Sequence, residues 1–140
     1  MKKMLIVSLV WAAGCATTSA APVNKSASAI LDSHERTGEV TSCLNLRQIS
    51  SMVAVDEETL LIKTGVNDYY VSDLGGRCSG ATRNSNRFEY STSLSSLCRN
   101  DILKVVDNST GFLTGSCGVG SFEKLAKKAP DEADDGSQPE

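Results

Sequence analysis

The side chains best suited to chemistry in this chain belong to four cysteines, Cys43, Cys78, Cys98 and Cys117. Four thiolates can bind zinc, but zinc ligands usually come in pairs separated by about two to four residues. These cysteines are instead 35, 20 and 19 positions apart. They also lack the C-x-x-C spacing of redox proteins. Widely spaced cysteines in an even number indicate structural disulfides, so we expect no metal and no other cofactor.

Four cysteines allow three disulfide connectivities, and the sequence alone does not choose among them. We favour the nested pairing, Cys43 with Cys117 and Cys78 with Cys98. The reason is that the first and last strands of a closing sheet would lie side by side. Disulfides persist in oxidising compartments, so the cysteines also predict an exported protein.

Candidate catalytic groups are sparse. The chain has one histidine, His34, which precedes the first predicted strand, so a Ser-His or Cys-His arrangement would have to recruit it from outside the folded region. Three consecutive acids, Asp56, Glu57 and Glu58, lie between two apolar segments and predict an exposed hairpin tip rather than an acid/base pair. We therefore expect a protein that is not an enzyme.

Three arginines form the one pattern that suggests a ligand. Arg77, Arg83 and Arg87 lie between Leu74 and Phe88, in a segment without an acidic residue. Guanidinium groups bind phosphate and carboxylate groups in a forked geometry, which makes this segment a speculative site for an anionic ligand. The alternative is that all three arginines are solvated on a surface loop.

The beginning of the chain predicts export. Residues 1–14 combine two lysines, an apolar run and small residues, as in a signal peptide, and the apolar run of ten is shorter than the roughly 20 residues that span a bilayer. The sequence Ala-Ala-Gly-Cys at positions 12 to 15 resembles a bacterial lipobox. That resemblance implies acylation of Cys15, and Ala16 beside it implies an outer-membrane lipoprotein facing the periplasm. Cleavage after Ala20 would instead release a soluble periplasmic protein.

The remaining chain divides into three segments. Residues 15–42 are rich in alanine, serine and threonine and predict a flexible tether. Residues 43–122 contain short apolar segments, with hairpin turns predicted at residues 56–58, 65–68 and 107–111. This pattern predicts an all-β fold: a small antiparallel meander or half-open barrel of about six strands. One short helix is expected at residues 92–98. Residues 123–140 predict a further short helix and a disordered acidic tail.

The charge distribution excludes one class of partner. The chain carries a net charge of -3, and residues 43–122 hold seven basic and eight acidic side chains. A nucleic-acid binder normally has a basic face, so no nucleic-acid partner is expected. The expected partners are the membrane, through the lipid anchor, and an anionic envelope component or an envelope protein. The oligomeric state stays open.

The segments around the cysteines carry a family resemblance. Those segments are Cys43–Ile49, Arg77–Gly80, Leu97–Ile102 and Ser116–Gly120. They resemble an uncharacterised family of small exported bacterial proteins, many of them lipoproteins, over about residues 40–122. The resemblance implies a cell-envelope protein with paired cysteines and assigns no activity to any residue. Two hypotheses follow: a module that binds or spaces an envelope component, and a periplasmic inhibitor of a hydrolase such as a lysozyme.

Overall fold

The computed structural model describes residues 23–92 and 95–129. The predicted signal peptide, Cys15 and the acidic tail from residue 130 lie outside the described residues. Within those ranges the chain forms one helix and ten strands, in the order α1 (Lys25–Asp32), β1 (His34–Thr41), β2 (Cys43–Asn45), β3 (Ile49–Ala54), β4 (Thr59–Thr64), β5 (Asp68–Asp73), β6 (Asn86–Tyr90), β7 (Ser96–Cys98), β8 (Ile102–Asp107), β9 (Leu113–Gly118) and β10 (Phe122–Lys127).

The strands form three antiparallel sheets. The largest has five strands in the order β1-β10-β5-β4-β3, and two smaller sheets have the orders β2-β7 and β6-β8-β9. The all-β class is therefore confirmed, with ten described strands instead of about six. The sheets do not close into a barrel, because β3 and β6 both remain edge strands.

The main core lies between the sheets. The central strands β4 and β5 are joined by a turn at residues 65–67, and β3 and β4 by a turn at residues 55–58, both where the sequence predicts hairpins. Because consecutive residues of a strand point to opposite faces, the apolar run in β4 supplies both sides of the sheet. The fully buried apolar side chains of the main core include Leu60, Ile62, Leu97, Leu103, Val119 and Phe122.

Helix α1 covers the outer face of the five-stranded sheet. Its first turn is capped by Asn24, whose Oδ1 accepts hydrogen bonds from the backbone N–H groups of Ser26 (3.2 Å) and Ala27 (3.3 Å). Ala27 is 2% exposed and belongs to a second apolar cluster with Leu61 and Val71. The tether predicted for residues 15–42 is therefore wrong from residue 25 onward, because this segment buries an apolar helix face and then adds a strand.

The predictions for the two ends of the folded domain are wrong, because these segments form strands β1 and β10. The short helix predicted after residue 122 is wrong, because this segment belongs to β10, a strand between β1 and β5. Residues three apart in a strand face opposite sides, so Phe122 enters the main core and Leu125 the outer cluster. Edge strand β1 is polar because both its faces are largely exposed. Its Arg36 is held by Asp73 at 2.7 Å and Glu123 at 3.0 Å.

The disulfide pairing is crossed, so the nested pairing is wrong. Cys43 and Cys98 lie directly opposite each other where β2 pairs with β7, and they are bonded. Cys78 is bonded to Cys117. The nested prediction assumed that the strands of Cys43 and Cys117 lie side by side, but Cys43 is in β2, which pairs with β7, and Cys117 is in β9, which pairs with β8.

The same pairing corrects the helix expected at residues 92–98. Residues 93 and 94 lie outside the described residues, and Ser96–Cys98 forms β7 instead of a helical turn. Two disulfides indicate an oxidising environment and agree with an exported protein. Among the described residues no helix is long and apolar enough to cross a membrane.

Candidate functional site

The segment that carries the three arginines, residues 75–87, is an ordered loop that runs into β6; we call it the arginine loop. The backbone N–H of Cys78 donates to the Glu57 carbonyl oxygen at 2.6 Å, and Cys78 itself is fully buried. At the far end of the loop, Asn86 Nδ2 donates to the Gly80 carbonyl oxygen at 2.9 Å and to Thr114 Oγ1 at 3.2 Å. The disulfide and these bonds hold the loop on the three-stranded sheet.

Arg77 is engaged within the protein. Its guanidinium pairs with Glu57, and the Nε to Oε2 distance is 3.1 Å. The other carboxylate oxygen of Glu57 accepts from the backbone N–H of Gly80 at 3.4 Å. The bond from Arg77, with a smaller contribution from Gly80, holds the pKa of Glu57 below its usual range. Glu57 thus acts as an internal partner of the loop and engages Arg77.

Arg83 and Arg87 lie together along a cavity of about 360 Å³ between β3 and β6. Arg87 donates from Nε to Glu89 Oε1 at 3.0 Å and from Nη1 to Asn108 Oδ1 at 3.1 Å. Arg83 is exposed and forms no close ion pair within the described part of the chain, although its charge contributes to the lowered pKa of Glu57. The structure therefore brings two of the three predicted arginines to one cavity.

A larger cavity of about 710 Å³ lies between α1 and the outer face of the five-stranded sheet. Its lining includes the apolar side chains of Val53, Leu61 and Tyr69, and two lysines, Lys25 and Lys63. The Lys63 ammonium lies 5.9 Å from the centre of the Tyr69 ring, within the range of a cation–π contact.

The two cavities form one continuous depression, which we call the basic groove. They share four lining residues, Asn24, Val53, Thr82 and Asn84. Its cations are Lys25, Lys63, Arg83 and Arg87, and no aspartate or glutamate is among the described residues that line it. Sequence reasoning missed both lysines, because Lys25 lies in the predicted tether and Lys63 is a single charge after an apolar run. The position of Lys63 was predictable from strand alternation, because residues two apart in a strand share a face and Lys63 therefore lies beside Leu61 on the outer face.

Thr82 lies where the two cavities meet. Its Oγ1 is buried and makes no hydrogen bond with the described residues. A buried hydroxyl without a partner costs about 1–3 kcal/mol relative to a bonded one.

Residues 1–138 match a family model described as a family of unknown function, DUF6491. The chain belongs to the DUF6491 family. No curated protein and no solved structure matches it. The uncharacterised family expected from the cysteine segments is thus confirmed.

The remaining candidate residues of this DUF6491 protein are placed apart from the groove or outside the described residues. His34 is part of β1 rather than of a tether, and its Nδ1 lies 2.8 Å from the Ile30 carbonyl oxygen and 3.0 Å from Ser33 Oγ. Its ring meets the Tyr69 ring edge-on at 5.2 Å. Within the described ranges no group of three or more histidine, cysteine, aspartate or glutamate side chains has a metal-binding arrangement.

A second surface feature is the hairpin between β8 and β9. Phe112 and Leu113 are 73% and 60% exposed there. The turn is fixed by Asp107, whose Oδ1 accepts from the backbone N–H groups of Ser109 and Thr110 at 2.9 Å each. The hydrogen bond from the Ser109 hydroxyl, followed by those from the backbone and hydroxyl of Thr110 and the backbone of Ser109, lowers the pKa of Asp107 to about 2. The apolar tip of this DUF6491 protein is therefore held in a defined position.

Proposed function

We propose that this DUF6491 protein is a non-enzymatic binding module of the bacterial cell envelope whose basic groove holds an anionic envelope component. In this proposal Cys15 carries a lipid that anchors the domain to the outer membrane, facing the periplasm. The observation that carries the proposal is the lining of the groove, where four cations lie on two adjacent cavities without a carboxylate among the described lining residues. Arg87 is paired with Glu89 outside the lining, so Lys25, Lys63 and Arg83 are the cations without an ion pair among the described residues.

The lining also defines the chemistry of the ligand. The cations favour phosphate or carboxylate groups, and the guanidinium of Arg83 is free to bind either in a forked geometry. The apolar floor at Val53 and Leu61 favours a ligand with apolar parts beside its charges. The unpaired hydroxyl of Thr82 adds a polar contact where the cavities meet. Together these features favour an anionic ligand that is amphiphilic.

Charge reversal in the groove tests the proposal. Purified protein is co-sedimented with peptidoglycan sacculi and, separately, with lipopolysaccharide micelles, over a series of salt concentrations. We expect salt-sensitive binding to at least one of them, and the double variant Lys63→Glu, Arg83→Glu should bind at least about ten-fold more weakly. The matched control is Lys104→Glu, an exposed lysine of β8 that does not line the groove.

Two results would overturn the groove as the binding site. If the double variant retains full binding, the ligand binds elsewhere. If the Lys104→Glu control loses binding equally, the loss reflects net charge and not the groove. Thermal unfolding of each variant shows that the folded state is intact.

The anchor is tested by mass spectrometry of the mature N-terminus. A lipoprotein begins at an acylated Cys15, whereas a soluble periplasmic form begins near Ala21. Both forms lack Trp11, the one tryptophan of the chain, so processed protein should show no tryptophan fluorescence. A mature chain without the acyl group would refute the lipid anchor and leave the groove proposal in place.

A second candidate function, inhibition of a hydrolase, is favoured by the β8–β9 hairpin. A preorganised turn that exposes Phe112 and Leu113 could bind in the active-site cleft of a hydrolase. The test is lysozyme activity on cell walls with increasing amounts of the protein. Inhibition that Phe112→Ala abolishes and Val66→Ala retains would support it, since Val66 is 79% exposed near another turn. No inhibition by the unaltered protein would exclude lysozyme as the target.

A further inference from the structure

We infer that the ligand of the basic groove is an extended acidic polypeptide segment that pairs as an added strand with the free edge of β3. This inference rests on the proposed function, in which the groove binds an anion, and adds the class of partner. It depends on three features of β3: the direction of its backbone groups, its sequence, and the groove beside it.

The direction of the backbone groups follows from the pairing with β4. Just beyond β3, the N–H of Val55 donates to the Thr59 carbonyl oxygen at 2.8 Å, so this N–H faces β4. In an antiparallel pair this direction alternates, so Val53, which is opposite Leu61, also faces β4. The N–H and C=O groups of Met52 and Ala54 consequently point away from the sheet, toward the groove.

The backbone groups of Met52 and Ala54 have no backbone partner among the described residues. None of the turn, loop or inter-sheet backbone bonds reaches either residue, and both lie at positions whose groups point away from β4. One extended residue, Asn24 (φ -77°, ψ 104°), contacts the chain just beyond β3, where its N–H donates to the Val55 carbonyl oxygen at 2.7 Å. That bond is made at the turn between β3 and β4, so the edge at Met52 and Ala54 is open to a peptide.

The sequence of β3 lacks the usual protection of an edge. Edge strands are commonly protected from pairing by charged side chains or proline. The other edge of the same sheet, β1, carries a histidine, two glutamates and an arginine within eight residues. Strand β3 has the sequence ISSMVA, without a charge or a proline. Its one irregularity is the bulge between Ile49 and Ser51, which leaves the stretch from Ser51 to Ala54 regular.

The groove defines which peptide fits. Strand β6, an edge strand of the three-stranded sheet, lies across the smaller cavity from β3. An added strand would therefore lie between two free edges. The side chains of Met52 and Phe88 face this cavity and favour apolar residues in the peptide. The four groove cations favour glutamate or aspartate beside them. Six residues of β3 span about 20 Å, which sets the peptide length at about five or six residues.

The experiment uses the hexapeptide acetyl-(Glu-Val)3-amide as a probe of the full exported protein. Two further versions are N-methylated, one on every glutamate and one on every valine. Since the amides on one edge of a strand come from alternate residues, each version blocks one edge. We expect the unmodified peptide to bind and at least one methylated version to bind about ten-fold or more weakly. Acetyl-(Lys-Val)3-amide, with the opposite charge, should not bind.

Amide hydrogen exchange locates the pairing on the protein. In the complex, exchange of the Met52 and Ala54 amides should slow by at least about ten-fold, because these amides become donors in the new ladder. The Val53 amide is the internal control, since it already faces β4 and should change little.

The outcomes separate this inference from the proposed function. Equal binding of all three Glu-Val peptides, or unchanged exchange at Met52 and Ala54, overturns strand pairing, while loss of envelope binding in the charge-reversal variant would still support the groove. Failure of every anionic probe removes the proposed function itself. A third outcome is slow exchange of the Met52 and Ala54 amides without peptide, and fast exchange of both in a chain that ends at Ala129. It would show that the acidic tail of the same molecule occupies the edge. That result overturns the inference of a separate partner.

Discussion

Replacing Gly115 with alanine tests whether the arginine loop is packed on the sheet as the structure shows. Gly115 lies in β9, beneath the backbone of Ser79 in the loop. A Cβ at this position would lie 3.1 Å from the Ser79 nitrogen and 3.2 Å from its carbonyl carbon, and closer still to its carbonyl oxygen. The loop has little freedom to retreat, because Cys78 precedes Ser79 and is bonded to Cys117 in the same strand.

The magnitude follows from this geometry. Unstrained contacts between non-bonded heavy atoms lie at about 3.5–4.0 Å, so several loop atoms must move. Adding a methyl group to a well-packed site costs about 1–3 kcal/mol, and a backbone neighbour held by a disulfide places Gly115→Ala near the upper end, at about 3 kcal/mol. For a domain of this size that corresponds to a fall in Tm of about 12–20 °C. Thermal and urea unfolding with intact disulfides measure it.

Gly118→Ala is the matched control in the same strand. A Cβ at Gly118 has no atom within 4 Å and its φ is not positive, so the substitution should change stability by less than about 1 kcal/mol and can be slightly stabilising. If Gly115→Ala is as stable as Gly118→Ala, then Ser79 does not lie against β9. The positions of the groove arginines, which depend on that packing, would be wrong as well.

Two other predictions concern the hairpin turn and the disulfides. Because the folded pKa of Asp107 is about 2 against an ordinary 3.8, its contribution to stability is complete above about pH 4 and is lost as the pH falls toward 2; Asp107→Asn should flatten the dependence of Tm on pH in that window. Limited reduction followed by alkylation should label Cys43 and Cys98 before Cys78 and Cys117, because Cys43 is exposed whereas Cys78 is fully buried. Peptide mass spectrometry shows the order, and labelling of Cys78 first would contradict it.

Full reduction gives a further stability prediction. The two bonds join residues 55 and 39 positions apart, and on the chain-entropy model each contributes about 4 kcal/mol. Since small domains are stable by about 5–15 kcal/mol in total, complete reduction should unfold the protein at ambient temperature. Circular dichroism before and after reduction measures the change, and an unaltered spectrum and Tm would show that the bonds are dispensable.

Local chemistry is what the sequence predicted well. The hairpin turns at residues 56–58, 65–68 and 107–111 depend on glycine, asparagine and aspartate within a few residues, and the structure has a turn at each of them. The all-β class followed from the short apolar segments between these turns. The arginine cluster was predictable from the sequence, but its partner was not, because Glu57 is twenty positions from Arg77 and is brought to it only by folding.

The sequence by itself thus determined the class of fold, the turns and the presence of disulfides, because these depend on residues close together in the chain or on composition. Tertiary structure alone decided which cysteines pair, since that depends on strand order: β10 enters the main sheet and leaves β9 in another. It also made strands of His34–Thr41 and Phe122–Lys127, which lack an alternating apolar pattern: β1 pairs with β10, and β10 pairs with β5 and buries Phe122 and Leu125 on opposite faces. The basic groove arises in the same way, because its four cations come from a helix, two strands and a loop that only the assembled sheets bring together.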